Sequence, residues 1–191
     1  DRNSALVTTR GGLGRISGDR VERIPVPGLP SVDLNVGGAV GGSLYLGTWA
    51  DGLLVVRDGR AIRLDASLGR EIQWLAPARP SRMLCASENG VFILQGERVI
   101  EHIDVAAGLP TARARFVMED SAGALWVGTE SGVWTRDREG RSRVWDRRAG
   151  LPDDFISWIA ETPDRAHWFG TNAGVVRLAP GGSIAVFGAN D

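Results

Sequence analysis

Apolar and polar positions alternate along this chain in short runs, and the runs return. LWVGTESGVW at residues 125–134 comes back as HWFGTNAGVV at residues 167–176. Anchoring on the Thr or Ser that follows the first apolar run gives five copies, at residues 5–13, 44–53, 83–91, 125–133 and 167–175. The anchors are Thr9, Thr48, Ser87, Thr129 and Thr171, spaced 39, 39, 42 and 42 residues apart. A second motif interleaves in the same register: GLPS at 28–31, a degenerate SLGR at 67–70, GLPT at 108–111 and GLPD at 150–153. Two motifs in one register define an internal repeat of about 40 residues.

Each repeat parses into four short strands. In the clearest copy these are residues 113–119, 125–129, 132–136 and 142–146, rich in Val, Trp, Phe and Thr. Connectors at 120–123, 129–132 and 136–140 carry the Gly, Asp and Ser that tight turns need. No helical period intervenes. Four antiparallel strands per repeat of this length predict an all-β fold, a β-propeller of four-stranded blades. The chain reads as one propeller domain over 1–191, partial, with blades at about 1–27, 28–66, 67–107, 108–149 and 150–191. First strands are expected at 32–36, 71–75, 113–117 and 155–159. The position nine residues before each second strand is Asn35, Trp74, Phe116 or Trp158, mostly aromatic as packing between blades requires. The first copy lacks a first strand, leaving about four and a half to five blades. Unpaired sheet edges would follow, so either further blades or a second copy of the chain is expected to cover them.

Composition narrows the function. The chain has 43% hydrophobic and 24% charged residues and a net charge of −1, too little field to recruit nucleic acid or an anionic membrane. Its 22 basic residues are all Arg. A single cysteine, Cys85, excludes an internal disulfide and a thiolate metal cluster, and two histidines exclude a three-His site. No run of 18 apolar residues exists, so any membrane attachment is expected through a segment outside this chain. The opening residues, Asp1-Arg2-Asn3, read as mid-protein.

The stretches GLPDDFISWIAE…WFGTNAGVVR and GLP…FVMEDSAGALWVGTESGVW resemble the two-component regulator propeller repeat. That repeat runs Gly-Leu-Pro, strand, Glu-Asp, two residues, Gly-x-Leu-Trp-x-Gly-Thr, two residues, Gly-Leu. The resemblance spans nearly the whole chain and is strongest from Ala107 to Leu178. It departs where Ser67-Leu68-Gly69 replaces Gly-Leu-Pro, where Ala86-Ser87 replaces Gly-Thr, and where Thr8 replaces the Gly. The resemblance implies a periplasmic sensor module of an inner-membrane receptor, with a histidine kinase or diguanylate cyclase as output. It also implies more blades than this chain holds. Alternatives are a propeller scaffold that binds polypeptide or oligomerises through blade edges, and a propeller lyase. Such lyases use a His and carboxylates with a metal at the central tunnel, and neither His102 nor His167 maps to tunnel-side loops.

Recurring letters read as scaffold. The Gly of Gly-Thr admits close approach of a neighbouring blade, and the Thr hydroxyl can bond turn backbone. The Leu of Gly-Leu-Pro is expected to be buried, Trp126 and Trp168 to pack between blades, and Asp120 to hold its turn. His167 stands where two other copies have Leu44 and Leu125, a strand start. The letters that vary point to a binding face. In an antiparallel blade the loop between strands two and three shares a face with the blade-to-blade loop. That face collects Arg10, Trp49, Glu88, Glu130 and Asn172, together with Arg70, Arg113, Asp153 and Asp154. Trp49 sits in a spacer one residue longer than the others and could stack on a sugar. Asp153 and Asp154 could serve as an acid–base pair or hold a cation, though no partner is fixed. A small-molecule or oligosaccharide ligand is expected, with no catalytic residue, no cofactor and no metal.

Overall fold

The alternating runs fold as antiparallel hairpins in the computed structural model, which describes residues 4–29 and 33–188. Pro30 and Ser31 of the first Gly-Leu-Pro motif, and Val32 of the expected first strand, lie outside the described residues. Strands β1 (Ser4–Thr9), β2 (Gly12–Ser17) and β3 (Arg20–Ile24) form a three-stranded sheet. Four-stranded sheets follow. One joins β4 (Leu34–Val40), β5 (Ser43–Thr48), β6 (Leu53–Arg57) and β7 (Arg60–Arg63). The next joins β8 (Ile72–Ala78), β9 (Arg82–Ser87), β10 (Gly90–Gln95) and β11 (Arg98–Ile103). Then come β12 (Ala114–Glu119), β13 (Leu125–Thr129), β14 (Gly132–Arg136) and β15 (Ser142–Trp145). The last joins β16 (Ile156–Glu161), β17 (His167–Thr171), β18 (Gly174–Leu178) and β19 (Ile184–Phe187). Each sheet is an up-and-down blade in sequence order, and the fold is an all-β propeller of four-stranded antiparallel blades, led by one that has three strands among the described residues. Short 3-10 turns at Ala66–Leu68 and Arg147–Ala149 precede two first strands, where the sequence shows only loop.

The chain divides into two compact units, Asp1–Glu88 with Phe92–Glu101, and Asn89–Val91 with His102–Asp191. In the first, Leu13, Leu34, Leu46 and Leu54 form one buried cluster. Tyr45, Leu68, Ile72, Met83, Cys85 and Phe92 contribute to a second. Burial drives the Cys85 thiol pKa upward, so this cysteine is a core residue and not a reactive one. The buried residues of the second unit include Phe116, Val127, Trp134, Ile156 and Phe169. Each such side chain contributes about 1.5–3 kcal/mol on leaving water. Three of the four connector Leu residues are buried as expected, with Leu68, Leu109 and Leu151 at 0%, 2% and 4% exposure, whereas Leu29 is only partly buried.

Scaffold letters act as the repeat suggests. A Cβ on Gly47 would lie 2.6 Å from Ile72 Cγ2, and one on Gly128 2.8 Å from Ile156 Cγ2. Glycine there lets the second strand of one blade approach the first strand of the next. Thr9, Thr48, Thr129 and Thr171 donate their hydroxyls to the carbonyls of Gly12, Gly52, Gly132 and Gly174 at 2.8–3.0 Å. Each hydroxyl also accepts an amide of its own turn, from Gly11, Asp51, Ser131 and Ala173 in the same order.

One alignment by constant offset fails. Every described first strand carries a bulge near its start, between Leu34 and Val36, Ile72 and Trp74, Ala114 and Phe116, and Ile156 and Trp158. The β4–β5 hairpin is one residue shorter than the others, so Val36, not Asn35, is the counterpart of Trp74, Phe116 and Trp158. Asn35 occupies the bulge and donates from Nδ2 to the Ile72 carbonyl at 2.8 Å. Trp158 also departs from expectation, being 46% exposed where Phe116 is 5% exposed.

Candidate functional site

Three of the varying residues meet in the first unit. Trp49 opens the longer β5–β6 turn and is 47% exposed. The Thr48 hydroxyl fixes that turn, which leaves the indole projecting. Arg70, just ahead of β8, donates from Nε to the Ala50 carbonyl at 2.9 Å. Its backbone N–H donates to Glu88 Oε1 at 2.7 Å, and Glu88, in the β9–β10 turn, donates its own N–H to the Glu71 carbonyl at 3.3 Å. An aromatic face, a guanidinium and a carboxylate thus gather on loops of adjacent blades. Arg10 is exposed and lines a separate cleft with Arg23 and Pro27.

The second unit places its varying residues differently. Glu130, in the β13–β14 turn, pairs with Arg115 Nη1 at 3.1 Å. Arg115 sits on the β12 bulge, with its guanidinium carbon 4.5 Å from the Phe155 ring centroid. Asp153 accepts from Arg147 Nη2 at 3.0 Å and from the Phe155 N–H at 2.8 Å. Asp154 accepts the Arg147 N–H at 2.7 Å, and its carbonyl takes the Gly132 N–H at 2.7 Å. Both carboxylates therefore brace the connector between blades. Arg113 is half-buried just before β12, and Asn172 is exposed in the β17–β18 turn. The sequence reading missed Arg115, Arg147 and Phe155. The bulge beneath Arg115 follows from strand register, which a repeat alignment by spacing does not carry.

At the opposite end of these blades, the turns from first to second strand build a third cluster. Asp120 Oδ1 accepts the Ala124 N–H and Oδ2 accepts Trp126 Nε1–H, both at 2.8 Å. His167, first residue of β17, stacks on Trp126 with ring centroids 3.7 Å apart and planes 17° from parallel. Its Nε2 lies 3.4 Å from Asp120 Oδ2. That nitrogen is buried without an aligned hydrogen-bond partner. Glu161, at the end of β16, accepts the Ser121 N–H at 2.7 Å and the Ser121 hydroxyl at 2.6 Å. One ligand atom each from Asp120, Glu161 and His167 fall within 4.8 Å of one another. Burial alone would raise the Asp120 carboxyl pKa. The nearby imidazole, the indole N–H and the Ala124 amide outweigh it and hold the pKa at about 2. The other histidine, His102, is exposed on β11 beside the Asn89 carbonyl.

No family model and no curated protein matches the chain. Solved structures do. The extracellular domain of a protein assigned as a hybrid two-component system of B. thetaiotaomicron superposes with a TM-score of 0.78 at 18% identity, covering 94% of this chain and 26% of that one. A second such domain from the same organism matches with a TM-score of 0.78 at 19% identity, covering 95% and 25%. Virginiamycin B lyase from Staphylococcus aureus matches with a TM-score of 0.71 at 14% identity, covering 96% and 68%. The chain spans about a quarter of the length of the two extracellular domains. At these identities the likeness is one of fold, and the propeller architecture is the one in which the sequence resemblance placed the chain.

Proposed function

We propose that this chain is part of an extracytoplasmic sensor, a propeller that binds a small polar ligand such as an oligosaccharide and relays its presence to a membrane-linked signalling output. The observation that carries this reading is the fold shared with extracellular domains of two-component systems, joined to a loop face whose residues vary while the scaffold repeats. The ligand subsite is the group around Trp49, Arg70 and Glu88. An exposed indole offers a flat apolar face to a pyranose ring, and the guanidinium and carboxylate offer hydrogen bonds at its edge. In this reading the module itself is not catalytic, and a histidine kinase or diguanylate cyclase lies elsewhere in the receptor. In this reading the chain works in the periplasm, which the likeness to extracellular domains supports as far as an extracytoplasmic side of the membrane.

A thermal-shift screen of oligosaccharides tests the reading. Ligand at about one hundred times Kd adds about 2.7 kcal/mol, which raises Tm by about 5–10 °C for a domain of this size. The Trp49→Ala variant is expected to lose that shift. A ligand that stabilises Trp49→Ala as much as the parent protein removes this face from consideration.

A further inference from the structure

We propose that Asp120, Glu161 and His167 bind a divalent transition-metal cation, Zn2+ in type, between the first-to-second-strand turns of the last two blades. The donor set is one imidazole nitrogen and two carboxylates, which suits zinc-class ions better than the all-oxygen preference of Ca2+ or Mg2+. Two ligands bound about 2.0–2.1 Å from a tetrahedral centre stand about 3.4 Å apart. His167 Nε2 and Asp120 Oδ2 are 3.4 Å apart and form no aligned hydrogen bond. That is the separation of two ligands on a shared ion.

The burial of His167 is the independent sign. Its residue is 8% exposed, and its Nε2 points into the cluster with no hydrogen-bond partner among the described residues. A buried polar nitrogen left in this way is costly, and a cation at this point satisfies it. The surroundings hold each ligand in place, as metal sites require. Trp126 clamps the imidazole by stacking and also donates to Asp120, while Ser121 orients Glu161 through two hydrogen bonds. Among the described residues neither carboxylate pairs with an arginine, in a chain with 22 of them. The donors that the two acids do have, from Ala124, Trp126 and Ser121, are neutral, and a dication would balance their charge. Glu161 is half-buried at the end of β16, and its carboxylate completes the donor set from the edge of the cluster. Three protein ligands leave a fourth position for water or for a group on another molecule.

Calorimetric titration of chelator-treated protein with Zn2+ tests the site. The parent protein is expected to bind one equivalent. His167→Leu restores the residue that Leu44 and Leu125 place at this repeat position, so it is compatible with the blade, and it is expected to abolish binding. Glu161→Gln, at a more exposed position, is expected to weaken binding by at least about tenfold. Co2+ in place of Zn2+ is expected to give the visible absorption of a four-coordinate centre in the parent protein and not in His167→Leu. Absence of stoichiometric binding in the parent protein overturns the proposal, and so does an affinity unchanged in both variants.

Discussion

Thr129 shows how a repeated letter acts at the scale of one residue. Its hydroxyl donates to the Gly132 carbonyl at 2.8 Å and accepts the Ser131 N–H at 3.0 Å, closing the β13–β14 turn from within. The side chain is fully buried. Thr129→Val keeps the shape and removes the hydroxyl, which leaves two turn groups without their partner. A loss of about 1–3 kcal/mol is expected by denaturant unfolding. Thr129→Ser, which keeps both bonds, is expected to cost less. This role was legible in the sequence because the same Thr recurs in fixed register with its turn glycine. The role of His167 was not. At its own repeat position it reads as a strand start in place of Leu, and its partners Trp126 and Asp120 belong to the preceding repeat. Repeat logic explains what recurs, and His167 matters by departing from it.

At the scale of elements, the turns between first and second strands do more than reverse the chain. Asp120 caps its own turn through Ala124, anchors the Trp126 indole of β13 and faces His167 of the next blade. The equivalent link in the last blade is weaker: Trp168 Nε1 donates to the Thr162 hydroxyl at 3.3 Å. The Asp120 carboxyl is held at about 2, below its ordinary value of 3.8, so the folded state favours its ionised form. Its contribution to stability is present above the ordinary value and is lost as pH falls through about 2. Melts of metal-free protein and of Asp120→Asn are expected to differ most near neutral pH and to converge on acidification. A gap that stays constant down to the acid limb contradicts this account of the carboxylate. Strand bounds within the clearest repeat were readable to a residue or two, because turn chemistry and alternation agree there. The bulge near the start of each first strand was not readable. It is set by hydrogen-bond register between strands and, in the β4–β5 pair, by a hairpin one residue shorter.

At the scale of the whole molecule, constant and varying positions separate. The buried Leu, the close-approach Gly and the hydroxyl-capped turns repeat, and they specify blades. Trp49 and Arg70 do not recur at their repeat positions, Glu88 recurs once as Glu130, and adjacent blades of the first unit bring Trp49, Arg70 and Glu88 together. Of the other varying residues, Asp153 and Asp154 brace a connector through Arg147, and Glu130 pairs with Arg115. The sequence could indicate which loop positions vary between repeats. It could not indicate which of those side chains are already engaged, since those contacts depend on connector geometry such as the 3-10 turn at Arg147–Ala149. Exposure alone does not single out a ligand residue either: Trp158, on the face of the last sheet, is 46% exposed against 47% for Trp49. These two tryptophans offer the most direct measurement. Titration of the saccharide found by screening into the parent protein, Trp49→Ala and Trp158→Ala is expected to show a loss of at least about tenfold in affinity, about 1.4 kcal/mol, for Trp49→Ala alone. Equal binding by Trp49→Ala and the parent protein, or a loss confined to Trp158→Ala, would contradict the assignment of the loop face as the sensor site.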